Sequence, residues 1–354
     1  MKKRLISLFL IVLLIGSISF AVNAINISDS TEAILNSNPY VQQYLLERGK
    51  NADEKSSSNN SQQRTSDMLT LIDIYNSDIE VGNILQKYLL SDNSISTHNY
   101  VTQATALNCN QIIQTMRNIE TIYEFADESE KELMLSYLLH HAEACNDSQS
   151  IAFLKSLNNS NPIQLAANYS YNPTAGVNYA LNWWHRFNTD NYPALDRLEN
   201  SGDCTNFVSQ CLKAGGVTFR ANWYCYKKNS NNPHPTTIAK LNESWNLSDP
   251  SPWISIKPFT SYWYSQVTVK SYNLQQYKDR HAEIYATEIA KGDIVIFKSG
   301  ILGVNWPAHA MIISDYDKTN KDFLCAGHTN ARNYYPILTA LNSENYSGVD
   351  FYLF

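Results

Sequence analysis

The hydrophobic period of the chain changes near residue 165, and that change restricts it to a helical region followed by a mixed one. Upstream, Leu69, Ile72, Tyr75 and Ile79 share one helical face, and Met134, Leu138, Ala142 and Cys145 share another. Downstream, "YNPTAGVNYALNWW" predicts a helix. Asn172 or Thr174 caps it, Pro173 suits the first turn, and Val177, Ala180, Leu181 and Trp184 form its apolar face. Short β-type runs follow at residues 293–297, 309–314, 322–326 and 349–354. A helix followed by an antiparallel strand series predicts an α+β domain over residues 165–354, behind an all-helical region over 25–164. The polar stretch 50–66 predicts a linker. His140 and His141 are adjacent, not at the i, i+4 spacing of a helical metal pair, and read as exposed or packed side chains.

The first residues read as an export address. Lys2, Lys3 and Arg4 precede an apolar run over 5–15 and a small-residue stretch over 16–24, and Val22 and Ala24 suit a signal peptidase site. A signal peptide over 1–24 predicts a secreted or cell-surface chain with no stable membrane insertion after cleavage. Six cysteines in 354 residues are too sparse for a disulfide framework, although Cys109 and Cys145 flank one helical stretch and are placed to pair. There is no CxxC and no Cys/His cluster with zinc spacing, so no metal or organic cofactor is called for. A net charge of -6 argues against a chain-wide nucleic-acid partner.

The chemistry concentrates in "SGDCTNFVSQCLKAGG", residues 201–216. Asp203 reads as an N-cap, Phe207, Val208, Cys211 and Leu212 as a buried stripe, and Gly215 and Gly216 as the stop. Cys204 then falls at the first helical position, where unpaired N–H groups and the positive end of the helix dipole favour thiolate. A thiol nucleophile needs a base, and His309 opens the strand "HAMIIS". With the following hairpin centred near Lys318 and Thr319, His309 faces His328, with Asn330 diagonal on the same side. His328 is then the first choice to orient the imidazole and Asn330 the second. His98, His185, His234 and His281 lack such a setting.

The segments "GDCTNFVSQCLKAGG", "KGDIVIF", "HAMIIS" and "GHTN" together resemble the putative amidase domain of secreted bacterial proteins. This resemblance covers residues 165–354. It implies a papain-like, NlpC-type cysteine hydrolase fold, related also to the CHAP-type cell-wall peptidases. It further implies Cys204 as nucleophile, His309 as base and a polar residue on the next strand as orienter, a place where NlpC-type relatives carry a His, here His328. The expected activity is hydrolysis of an amide or peptide substrate, with peptidoglycan as the natural candidate. An acyltransferase with the same Cys–His chemistry, or a silent binding module, are the alternatives.

Overall fold

The computed structural model describes residues 37–49, 58–90, 99–159, 170–198, 202–220, 222–228 and 232–354. The signal-peptide stretch 1–24 and the boundary expected near 165 lie outside these residues. The first helices are α1 Pro39–Gly49, α2 Ser58–Leu89, α3 Tyr100–Ala104, α4 Cys109–Ile122, α5 Glu128–His141 and α6 Ser148–Asn159. Local chemistry explains several starts. Asn108 caps α4, and a reciprocal capping box between Asp127 and Glu130 opens α5. A disulfide joins Cys109 at the start of α4 to Cys145, just beyond α5. The expected linker is corrected over its second part: residues 58–66 belong to α2, and 50–57 lie outside the described residues. Once the stripe through Leu71, Ile74, Val81 and Leu85 is packed, each polar residue added upstream gains a backbone hydrogen bond without a new nucleation cost.

In the second half, α7 (Pro173–Trp183) starts from the Asn172 cap, and α8 (Cys204–Ala214) carries the cysteine motif. A short ladder of β1 (Tyr226–Lys227) and β2 (Trp245–Asn246) flanks α9 (Ile238–Ser244), and α10 (Ile256–Tyr264) follows. The remaining strands form one antiparallel sheet. They are β3 Thr268–Asn273, β4 Ile294–Ile301, β5 Val304–Asp317, β6 Asp322–Gly327, β7 Arg332–Pro336 and β8 Gly348–Leu353, in the spatial order β3-β8-β4-β5-β6-β7. The period of two gives the sheet two buried faces. Ile294, Ile296, Ala310, Ile312 and Ala326 pack against Phe207, Val208 and Cys211 of α8. Val295, Phe297, Met311, Ile313 and Phe323 pack on the other face, under α11 (Leu274–Tyr285) and α12 (Ile337–Ser343).

Strand β5 begins five residues before His309, earlier than the alternation in the sequence predicts. The β4–β5 hairpin therefore projects from the sheet, and the N-terminal helices cover its tip. Ile301, Val304 and Trp306 share a core with Tyr40, Val41, Tyr44, Leu71 and Ile74 of α1 and α2. Each aliphatic side chain buried there contributes about 1.5–3 kcal/mol. The two-residue turn needs Gly303 at φ +78°. His141, buried on α5, bonds the Gly303 carbonyl through Nδ1 at 2.6 Å and the Asp78 carboxylate through Nε2 at 3.1 Å. His140 is buried beside it, so both histidines are packed.

Candidate active site

Cys204 is the first residue of α8, as its spacing predicts, but the helix start is built differently from the expectation. The Asp203 side chain does not cap α8. Its Oδ1 accepts from the Leu195 amide at 2.9 Å and the Asn206 side-chain amide at 2.8 Å, and its Oδ2 meets Nδ1 of His328 at 2.5 Å. Turning the carboxylate away leaves the first-turn N–H groups of α8 uncapped by it, beside the thiol. Every side chain from Cys204 to Leu212 is buried, including polar ones that a hydrophobic stripe does not reveal. Asn206 donates to the Pro193 carbonyl at 2.7 Å and accepts from the Trp253 indole at 2.9 Å. Ser209 accepts from Trp223, and Gln210 accepts from Tyr179. These residues fix the roll of α8, and only long-range partners separated in sequence identify them.

Among the described residues, Cys204, Cys211, Cys225 and Cys325 are free and buried. Burial pushes the Cys211, Cys225 and Cys325 thiols up. Burial pushes Cys204 up as well, but there it is outweighed. A hydrogen bond with His309, the charge of that imidazole, the Ala310 backbone and the Thr205 hydroxyl, 3.8 Å from Sγ, together bring the thiol below its ordinary value. Cys204 alone among the four is thus biased toward thiolate.

His309 reaches the thiol through an irregularity in β5. Phe297 pairs with His309 but Lys298 pairs with Pro307, so Ala308 is an extra residue, a β-bulge. Pro307, which has no N–H for the ladder, is tolerated at this break. Next to the bulge the His309 ring lies between Cys204 and Phe297, whose ring centroid is 6.2 Å away.

The structure does not bring His328 to His309, and the expected hairpin register is corrected. Asp317 pairs with Asp322 and Ile312 with Ala326, with a further shift between Ile313 and Asp315. The turn is centred one residue later than expected, and the irregularity between Ile313 and Asp315 takes half of that back, so the net offset of one position places the two histidines on opposite faces. His309 follows the face of Met311 and Phe297. His328 follows Ala326 and stacks on Phe207 of α8, with centroids 4.1 Å apart. Both nitrogens of His328 are engaged, Nδ1 with Asp203 and Nε2 with the Trp183 carbonyl at 2.8 Å. A carbonyl only accepts, so Nε2 carries a hydrogen, and the ring is fixed in place. The next residue continues this clamp: Thr329 Oγ1 accepts from the Asp203 amide at 3.0 Å, and a Cβ on Gly202 would stand 2.9 Å from it. "GDC" and "GHTN" are therefore two halves of one clamp on the start of α8. The clamp is backbone-strained, since Thr329, Asn330 and Ala331 all have positive φ. Asn330 lines the same cleft as Cys204 and His309.

That cleft has a volume of about 490 Å³ and is lined by Cys204, Thr205, His309, Asn330, Glu344 and Tyr346. One wall comes from outside the second half: Ser66, Thr70 and Asp73 of α2 face Lys257 at the start of α10. Among the described residues no group of three or more His, Cys, Asp or Glu side chains is arranged to hold a metal ion. No curated protein and no solved structure matches the chain. The sequence profile of the putative amidase domain matches residues 170–353, which span α7, the Cys204 helix and the whole six-stranded sheet. The chain belongs to the putative amidase domain family.

Proposed function

We propose that this protein is a cysteine-dependent amide hydrolase in which Cys204 is the nucleophile and His309 its base. The observation that carries the reading is the contrast among the free cysteines: only Cys204 has its thiol drawn down, and His309 is the leading cause of that lowering. The Cys204 thiolate attacks the amide carbon, and the negative charge moves to the carbonyl oxygen. The open first-turn N–H groups of α8 donate to that oxygen. The tetrahedral intermediate expels the amine, which takes its proton from His309, and leaves a thioester on Cys204. Water gives a proton back to His309, attacks the thioester and releases the acid. A cysteine at a helix start packed on an antiparallel sheet that carries the histidine supports a papain-like, NlpC-type assignment.

The expected location is secreted or cell-surface. The basic–apolar–small pattern over 1–24 supports this, as does the Cys109–Cys145 disulfide, a bond that persists in oxidising compartments. The substrate class is a cell-wall peptide amide. Incubation of the mature chain with peptidoglycan, followed by mass spectrometry of the soluble fragments, tests the reading. New amine and carboxyl ends that vanish with Cys204→Ala are the expected result, and cleavage that survives in Cys204→Ala overturns it.

A further inference from the structure

Two charged side chains on the cleft wall have no hydrogen-bonded or ion-paired partner among the described residues. Lys257 and Asp73 both line the cleft that holds Cys204 and His309. Neither makes a side-chain hydrogen bond or ion pair among the described residues, with each other or with a third group. They lie close enough to feel each other's charge, and Lys257 also feels the buried Asp78 and acts on His140. Burial lowers the Lys257 ammonium, and the charges of Asp73 and Asp78 partly restore it. The surrounding protein raises the partly hydrated Asp73 carboxyl, and Lys257 partly offsets that. Asp73 keeps contact with water and Lys257 is half-buried, so both charges stay open to a ligand in the cleft, whereas the buried Lys298 is paired by Glu143 and Asp350. An unpaired cation and an unpaired anion side by side in a cleft are complementary to a ligand group that carries both signs.

We infer that Lys257 and Asp73 form a recognition subsite for the free zwitterionic head of an amino acid, with Lys257 taking its carboxylate and Asp73 its ammonium. A residue inside a peptide chain has no such head. The subsite therefore selects an amide formed through a side chain, whose own α-ammonium and α-carboxylate remain free. This deepens the proposed function and rests on the reading of Cys204 and His309 as an amide-cleaving pair. Asp73 lies outside the segment matched by the family, so α2 supplies part of the selectivity from the N-terminal helices.

The test uses Nε-alanyl-lysine, its α-N-acetyl derivative, which lacks the ammonium, and its α-carboxamide, which lacks the carboxylate. Binding is measured by calorimetry on the full mature chain carrying Cys204→Ala, so that no probe is consumed. The free probe is expected to bind about 10- to 100-fold more tightly than either blocked form, as for a lost charged hydrogen bond. Adding Lys257→Met should make the free probe and the carboxamide bind alike, and adding Asp73→Asn should do the same for the free probe and the acetyl derivative. Equal binding of all three probes to the Cys204→Ala chain, or binding of none, overturns the subsite, and this comparison needs no further variant to fold. Cleavage by the wild-type chain is scored separately. Cys204-dependent hydrolysis without discrimination among the probes removes the subsite and leaves the Cys–His reading intact. Discrimination in binding beside the absence of Cys204-dependent cleavage of any amide removes that reading instead.

Discussion

The two histidines at the site end of the β5–β6 hairpin make opposite use of the same side chain. His309 sits beside a β-bulge with its imidazole against a thiol whose acidity it raises. His328 is saturated: one nitrogen meets Asp203, the other the Trp183 carbonyl, and its ring face lies on Phe207. A ring with a reactive neighbour and spare hydrogen-bonding capacity can move protons. A ring whose two nitrogens are both engaged by structural partners can only hold something still. What His328 holds is the start of the Cys204 helix, so it acts on the position of the thiol and not on His309.

This contrast can be broken in several ways. Cys204→Ala should have the largest effect, a loss of amide hydrolysis of at least about 10⁴-fold, with a thermal melt close to wild type because the packed stripe behind it persists. His309→Ala should lower kcat by about 10²- to 10⁴-fold and slow alkylation of Cys204, again with the fold intact. His328→Ala should behave differently. Removing one partner of a buried pair leaves the Asp203 carboxylate uncompensated, which costs about 3–5 kcal/mol of stability in denaturant titrations. Activity per folded molecule should fall far less than in His309→Ala, and the pH profile should keep its shape. A His328→Ala chain of full stability and crippled turnover would place His328 in the chemistry after all.

Replacing Cys109 with Ser opens a loop that closes at Cys145 and should cost about 2–4 kcal/mol while leaving kcat unchanged, since the bond lies among the N-terminal helices. The smallest effect concerns pH. The folded Cys204 thiol ionises below the ordinary thiol range, and thiolate is the reactive form. Its iodoacetamide labelling should therefore rise with pH through a midpoint lower than that of an unfolded control, and His309→Ala should move that midpoint up. Cys211, Cys225 and Cys325 should label slowly until the chain unfolds.

Local patterns in the chain were sufficient for what depends on neighbours in sequence. The Asn172 cap and Pro173 start of α7 follow from capping, and the position of Cys204 at the head of α8 and the stop at Gly215 and Gly216 follow from local periodicity and the glycines. So do the strand cores around Ile294, Ile312 and Phe323, because alternation is a local signal. The pairing register is not local. The irregularity between Ile313 and Asp315 decides which face each histidine takes, a bulge at Ala308 sets how the strand enters His309, and neither changes the hydrophobic alternation that is visible in the chain. The same holds for Asp203. Its place before a helix suggests a cap, yet His328, more than a hundred residues away, competes for its carboxylate and wins, because a buried charge-assisted bond outweighs one cap. The wall that α2 lends to the cleft has no sequence signal at all. Asp73 and Lys257 become neighbours only because the β4–β5 hairpin extends far enough to be covered by Tyr40, Leu71 and Ile74, and burial of that apolar tip sets the helices down beside the cleft. Capping and period are properties of consecutive residues, whereas register, competition for a buried carboxylate and the docking of one region on another are settled by apolar burial and polar pairing between residues far apart in the chain.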